Sequence, residues 1–354
     1  MSIYFILLGV IVVLMLIGQR NRTNTVFKVA VSLIFLGMVL VAGLRSRFVG
    51  TDTNQYVNSF QSDRVANNSF LSNPSSVEIG YLFIEKMSRN LSDNYWMILV
   101  VIAVITIFFN LKAIISISSN YTLSLFIFIT LGVYLFFFNG ARQGIAAAIY
   151  GMAIISLIKG NLKKYVLWVL FAALFHKTVL IALPAYFLIR TKYSIKKVIA
   201  ALVISLVLIS SWVYLIKFFP GFLSEHYLAY DNRGATGAYM LTLFFFIITS
   251  FLIFVRKFIS DMEKNLFDIF LNLTIFHTLI YVVIYLSNED ISMLRLAHYF
   301  SFGLVFIWPI VFRNLKMFSS IIPRFIFIAV HVLFYYIYLI KMSDLVPYHF
   351  NSYL

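Results

Sequence analysis

The sequence predicts an all-α polytopic membrane protein with about twelve transmembrane helices, and three observations carry that prediction. Hydrophobic residues fill 62% of the 354 positions and charged ones only 12%, against about 25% charged in an ordinary soluble chain. Apolar runs close to the roughly 20 residues that cross a ~30 Å hydrocarbon core recur along the whole length. Basic residues gather in alternate connections between those runs, as cytoplasmic loops require. The same composition excludes a disordered chain, and a net charge of +15 divided among loops makes no nucleic-acid face. With no cysteine there is no disulfide framework, thiolate nucleophile or thiolate-ligated metal.

The apolar runs lie near 2–18, 27–44, 95–115, 121–138, 143–158, 198–218, 238–255, 266–287, 296–312 and 321–340. The first has no basic residue before it and no small-residue cleavage site, and Arg20 and Arg22 follow it. It therefore reads as a retained helix whose N-terminus is outside. The stretch 162–189 is too long for one comfortable span and short for two, with His176-Lys177 interrupting it. Charge arbitrates. Two crossings keep Lys159, Lys163, Lys164, Arg190, Lys192 and Arg256 on the side of Arg20 and Arg22, whereas one crossing reverses the positive-inside bias. Both termini are then extracytoplasmic. Halves of roughly 14 and 12 residues reach only about 21 and 18 Å, so His176-Lys177 is expected in a recess below the outer surface.

The chain 1–354 reads as a single integral membrane domain without a soluble catalytic domain or internal repeat. Its longest connection, 45–94, falls outside, and Ile79, Leu82, Phe83 and Met87 recur there at helical spacing, predicting an interfacial amphipathic helix. A second extracytoplasmic loop, 217–237, carries Pro220, Gly221, Gly234 and Gly237 and reads as a flexible flap.

Four constellations have the residue types for chemistry. Arg45-Ser46-Arg47 with Gly50, Asp52 and Tyr56 follows the second span; paired guanidinium forks grip phosphate oxygens, although Arg at a helix end also snorkels to lipid phosphates. Asn139-Gly140-Ala141-Arg142-Gln143 places an Arg at the start of a helix, where cation and helix dipole both attract anions. His176-Lys177 offers an imidazole able to accept a proton from a hydroxyl, against the plainer reading of a hydrogen-bonded core histidine. Glu289-Asp290 with Arg295 and His298 lies at the outer start of the eleventh span and supplies a further anion contact or base, or a charged loop. His277 and His331 lie mid-span and read as packing residues. No metal-ligand cluster, P-loop, HExxH or GxSxG pattern occurs, so no metal or cofactor is expected.

Arginines near the outer mouth, a recessed His and a few carboxylates suit a site that takes an anionic lipid headgroup from the outer leaflet. Arg45 to Tyr56, Glu78-Ile79-Gly80-Tyr81, Asn139 to Ala148, His176-Lys177-Thr178 with Pro184, Arg295 to Phe300 and Pro347-Tyr348 together resemble the EpsG family of polysaccharide polymerases, similar in role to Wzy O-antigen and capsule polymerases. The resemblance implies a GT-C-like glycosyltransferase architecture in a bacterial plasma membrane. It also implies polymerisation of polyprenyl-pyrophosphate-linked oligosaccharides at the extracytoplasmic face, beside a flippase and a chain-length regulator. On it, Arg45, Arg47, Arg142 and Arg295 become pyrophosphate contacts and His176 and Asp52 the candidate bases. Gln143, Lys177, Glu78, Tyr56, Glu289 and Asp290 are further candidates. The rival expectation is a lipid-linked oligosaccharide flippase or other transporter, which fits twelve helices equally well; an acyltransferase using an intramembrane His is a third.

Overall fold

The computed structural model describes residues 1–20, 25–62, 77–203, 238–287 and 291–351. Among these residues the regular elements are helices, with one isolated β-bridge between Arg45 and Phe350. The chain divides into two compact units, Met1–Leu180 with Lys316–Leu354, and Ile181–Leu315.

The first unit contains α1 (Ser2–Gln19), α2 (Thr25–Gly43), α3 (Thr53–Gln61), α4 (Ile79–Leu91) and α5 (Trp96–Ile117). It continues with α6 (Tyr121–Thr130), the short α7 (Phe136–Asn139), α8 (Ala141–Ile158) and α9 (Leu162–Ala173). The second unit holds α10 (Ala182–Ile189), α11 (Ala238–Val255), α12 (Asp261–Ser287) and α13 (Phe302–Asn314). The last helix, α14 (Ile321–Lys341), returns to the first unit. Helix starts follow local capping: Asn120 accepts from the Leu123 N–H ahead of α6, and Asn161 from the Lys164 N–H ahead of α9.

Seven described helices are long and apolar enough to cross a bilayer, and an eighth arises if Met293–Phe300 and Phe302–Asn314, bent by 41°, count as one span. Their outward surfaces are hydrocarbon-like: α14 exposes Ile321, Ile322, Phe325 and Leu333, and α1 exposes Ile6, Val13 and Leu16. Apolar surface on that scale requires lipid rather than water, and the chain is a multi-pass membrane protein. The other expected crossings take different forms. The span expected over 121–138 is broken after Thr130, because Gly132 turns the chain at φ +74, a conformation open to glycine. A side chain there would strike the Tyr338 ring, 2.7 Å away. The stretch 162–189, expected to cross twice, breaks into α9, a turn, a 3-10 helix (Lys177–Ile181) and α10, each helix shorter than a membrane is thick and neither among the seven candidate spans. Most of 198–218 and all of the 217–237 loop lie outside the described residues.

Within the second unit, a buried polar clamp fixes one end of α12. The Asp268 carboxylate accepts from Arg256 Nε at 2.6 Å, Arg256 Nη2 at 2.8 Å and the Tyr193 N–H at 3.1 Å. Four residues on, Asn272 Nδ2 donates to the carbonyls of Ile189 at 2.9 Å and Thr191 at 2.8 Å, satisfying the end of α10. An acid inside an apolar helix is therefore accounted for by a forked guanidinium partner.

Within the first unit, the tail beyond α14 is a strap over the ends of the helices. Gly50 and Ser46 N–H groups donate to the carbonyls of Asp344 (3.0 Å) and His349 (2.8 Å), and Asn351 N–H returns to Leu44 O at 2.9 Å. Tyr4 and Tyr348 hydroxyls donate to Leu345 O and Val41 O, and Tyr95 donates to the Asn351 side chain. At about 1 kcal/mol net per hydrogen bond, the strap contributes several kcal/mol to holding residues 44–51 in place. Truncation after Met342 is expected to lower the thermal midpoint of the purified protein in detergent by several degrees; an unchanged midpoint would show that the strap holds nothing.

Candidate functional site

The site is assembled from loops that the sequence keeps far apart. Residues 44–52 leave α2 and turn at Gly50, where φ is +100. A Cβ there would lie 2.6 Å from Asn139 Oδ1, so only glycine lets this loop close on the junction of α7 and α8. Asn139 then joins three segments, accepting from the Thr51 N–H at 2.9 Å and donating to Ser343 O at 2.7 Å. The Thr53 hydroxyl lies 2.7 Å from Val49 O and 3.1 Å from Phe138 O, able to donate to either. Tyr56, on α3, accepts from the Ala141 N–H at 3.0 Å, satisfying a first-turn amide of α8 that has no intrahelical acceptor.

Arg45 lies inside this assembly rather than at an open mouth. It is fully buried, donates to the Ala42 carbonyl, approaches Thr53 Oγ1 at 3.4 Å and stands 4.3 Å over the Phe138 ring. Burial pushes its pKa down to about 10, which still leaves the guanidinium charged at neutral pH. Arg47 is half-buried and spans from the loop to α3, with Nε donating to Asn54 Oδ1 at 2.7 Å and Nη2 to Asn58 Oδ1. Asp52 is the residue before α3, half-buried, and its carboxylate makes no capping bond.

The next residue of α8 is Arg142, and it meets Glu78 from the loop before α4. Arg142 Nη1 lies 2.8 Å from Glu78 Oε2. The other carboxylate oxygen, Oε1, lies 2.9 Å from His176 Nδ1 and accepts the Lys177 N–H at 3.3 Å. Glu78 is buried and precedes α4 with an extended backbone, yet its side chain does not cap its own helix. Gly80 explains how it comes so near. Its N–H donates to Leu174 O at 2.8 Å, and a Cβ at that position would be 2.7 Å from the same oxygen. The Glu-Ile-Gly-Tyr motif thus combines a carboxylate with the glycine that lets it reach the end of α9.

Burial by itself would raise the Glu78 pKa; the hydrogen bond to His176 and the charge of Arg142 outweigh it and hold the carboxyl at about 2. An ionised carboxylate cannot donate, so His176 Nδ1 carries the proton between them, and in the neutral ring Nε2 is the acceptor nitrogen. The result is an oriented imidazole beside a guanidinium that, with five N–H donors, keeps capacity for a second anion. That arrangement can take a proton from a hydroxyl and steady negative charge next to it.

Tyr56, Glu78, Arg142, His176 and the Lys177 backbone are therefore brought together, while the Lys177 side chain is exposed and Gln143 is buried in α8. Arg295 lies in the second unit, half-buried in the 3-10 helix Ile291–Phe300. Glu289 and Asp290 lie outside the described residues. His331 is buried with Nδ1 2.9 Å from Thr130 Oγ1, and His277 packs its ring 4.4 Å from that of Phe245. The sequence offered Glu78 only as a further candidate and Tyr81 only as part of its motif. Tyr81 is buried, its ring 6.0 Å from that of Tyr56. The available signal was an acid two residues before a glycine at the start of an amphipathic stretch in the 45–94 connection.

The depressed pKa makes a stability prediction with a definite sign. Glu78 contributes stability that is complete above its ordinary value of 4.5 and is lost as pH falls through about 2. The thermal midpoint of the wild type is expected to fall over that window more steeply than that of Glu78→Gln, measured by melting curves at matched ionic strength. Parallel curves would contradict the pairing.

No curated protein and no solved structure matches the chain. A family model does, over residues 28–350, and nearly the whole chain is covered. With motifs from three distant segments converging on one carboxylate and this match over nearly the whole chain, the chain belongs to the EpsG family, a Wzy-like family of polysaccharide polymerases.

Proposed function

We propose that the protein polymerises polyprenyl-pyrophosphate-linked oligosaccharide repeats into a surface polysaccharide at the extracytoplasmic face of a bacterial inner membrane. The observation that carries this reading is the Arg142–Glu78–His176 cluster, built from three of the motifs that resemble the family. In the proposed reaction, an acceptor sugar hydroxyl on one lipid-linked repeat attacks the anomeric carbon of the donor glycan. The new C–O bond forms as the bond from that carbon to the pyrophosphate oxygen breaks. The hydroxyl proton passes to His176 Nε2, and polyprenyl pyrophosphate leaves with the bonding electrons. Glu78 orients the imidazole and stabilises its protonated form, and Arg142 steadies the leaving charge.

Arg47 and Lys177, both partly or fully exposed, are proposed phosphate contacts. Arg45, being enclosed, is proposed to position the loop rather than touch the headgroup. The pyrophosphate role of Arg295 rests on the motif resemblance alone, and Asp52 is the alternative base. Twelve crossings, a GT-C-like arrangement, external termini and work beside a flippase and a chain-length regulator belong to the same proposal.

Reconstitution of the purified protein with lipid-linked repeats tests it. Lengthened glycans with release of polyprenyl pyrophosphate are expected; translocation without lengthening would favour a transporter instead. His176→Ala should reduce turnover by about 10²–10⁴-fold, the usual share of a general base. Arg142→Ala should cost about 10²–10³-fold and leave single lipid-linked repeats unextended in cells. Glu78→Gln should lower kcat more than it raises KM and shift the pH profile. Normal polymer length in the Arg142 variant would remove that residue from the mechanism.

A further inference from the structure

Helix α4 leaves an apolar stripe uncovered. It buries Tyr81, Leu82, Ile84, Glu85 and Ser88, while Ile79, Phe83, Met87 and Leu91 stand 65%, 66%, 42% and 61% exposed beside Lys86 and Asn90. Those four recur every fourth position and so form one stripe along the helix. A stripe of this kind facing water would forgo about 25 cal/mol for every Å² of apolar surface it leaves unburied.

Two further observations identify what covers it. The stripe begins beside Leu174, whose carbonyl receives the Gly80 N–H. Leu174 in turn ends an exposed apolar row on α9 made by Leu167, Leu170 and Phe171. The surface of α4 is thus continuous with a face that, on a membrane-embedded segment, meets lipid. Depth agrees with this. Helix α9 starts at the charged pair Lys163-Lys164, which belongs at a membrane surface, and has 12 residues. At 1.5 Å per residue it rises about 18 Å into a core of about 30 Å, so the point where α4 docks lies inside the hydrocarbon rather than beyond it.

We propose that α4 is seated in the outer leaflet, with Ile79, Phe83, Met87 and Leu91 in contact with acyl chains. The occupant of the stripe is bilayer hydrocarbon, not a protein partner. The seat fixes the height of the site: Glu78, immediately before α4, is held with Arg142 and His176 in a recess below the outer headgroups, at the depth where α4 meets Leu174. A pyrophosphate carried on a membrane-anchored chain reaches that recess from within the leaflet. Only this last consequence rests on the polymerase reading; the seat itself does not.

The natural absence of cysteine makes the test direct. Phe83→Cys and Leu91→Cys, each labelled with an environment-sensitive nitrobenzoxadiazole dye, are reconstituted in phosphatidylcholine–phosphatidylglycerol vesicles. Asp93→Cys, beyond the helix at a position whose side chain is 91% exposed, serves as the aqueous control. Dyes at 83 and 91 are expected to emit to the blue of the control and lose most of their emission to brominated acyl chains. Aqueous iodide should quench them several-fold less than it quenches the control. Iodide quenching equal to that at position 93 would overturn the proposal. So would shielding from both quenchers, the result expected if protein covers the stripe. Because the readout is spectroscopic, it stands or falls separately from any measurement of polymerisation.

Discussion

A carboxylate taken out of water is tolerated only where cationic or hydrogen-bond partners replace its hydration, and the first unit is organised around meeting that requirement at Glu78. One oxygen goes to the guanidinium of Arg142 and the other to the imidazole of His176, with the Lys177 amide added. These partners come from the start of α8 and the end of α9, so satisfying one charge also locks together three chain segments. The same bonds impose direction: an ionised Glu78 makes Nδ1 the protonated nitrogen and leaves Nε2 on the far side of the ring. Structural necessity and chemical competence coincide in one group.

The surrounding loops repeat that economy with backbone polar groups. Residues 44–51 form no helix and lie against apolar spans, where an unmet N–H or carbonyl is costly. They find partners in the C-terminal strap, in the Asn139 side chain and in one another. Arg45 belongs to this framework. Its spacing from Arg47 suits phosphate recognition, but its guanidinium meets a carbonyl, a hydroxyl and an aromatic face inside the protein. Two arginines one residue apart thus point to different environments.

Helical class and membrane embedding were legible because they depend on summed properties, hydropathy and charge bias, which tolerate local error. The division of 162–189 was legible for a similar reason, since its length fits neither one span nor two. The break in 121–138 was not, because it depends on a single φ at Gly132 within an unbroken apolar run. Glu78 was underweighted because its partners stand 64 and 98 positions away, and no local spacing encodes them. The motifs named the participants; only three-dimensional packing distinguishes the enclosed Arg45 from the half-exposed Arg142.

Helix α4 connects these levels. A sequence pattern with apolar positions at helical spacing says that one face is greasy without saying whether it points to protein or to lipid. The answer lies in what occupies the opposite face. Glu85 accepts from Ser59 at 2.8 Å, and Tyr81 packs near Tyr56, so the inward face is engaged by polar and aromatic groups of α3. Leu82 and Ile84 fill the rest of that face, and the outward stripe of Ile79, Phe83, Met87 and Leu91 is the surface proposed to meet hydrocarbon. On the proposed polymerase reading, the headgroups of lipid-tethered substrates meet the Glu78 cluster at the depth this helix sets, because the helix begins one residue after Glu78.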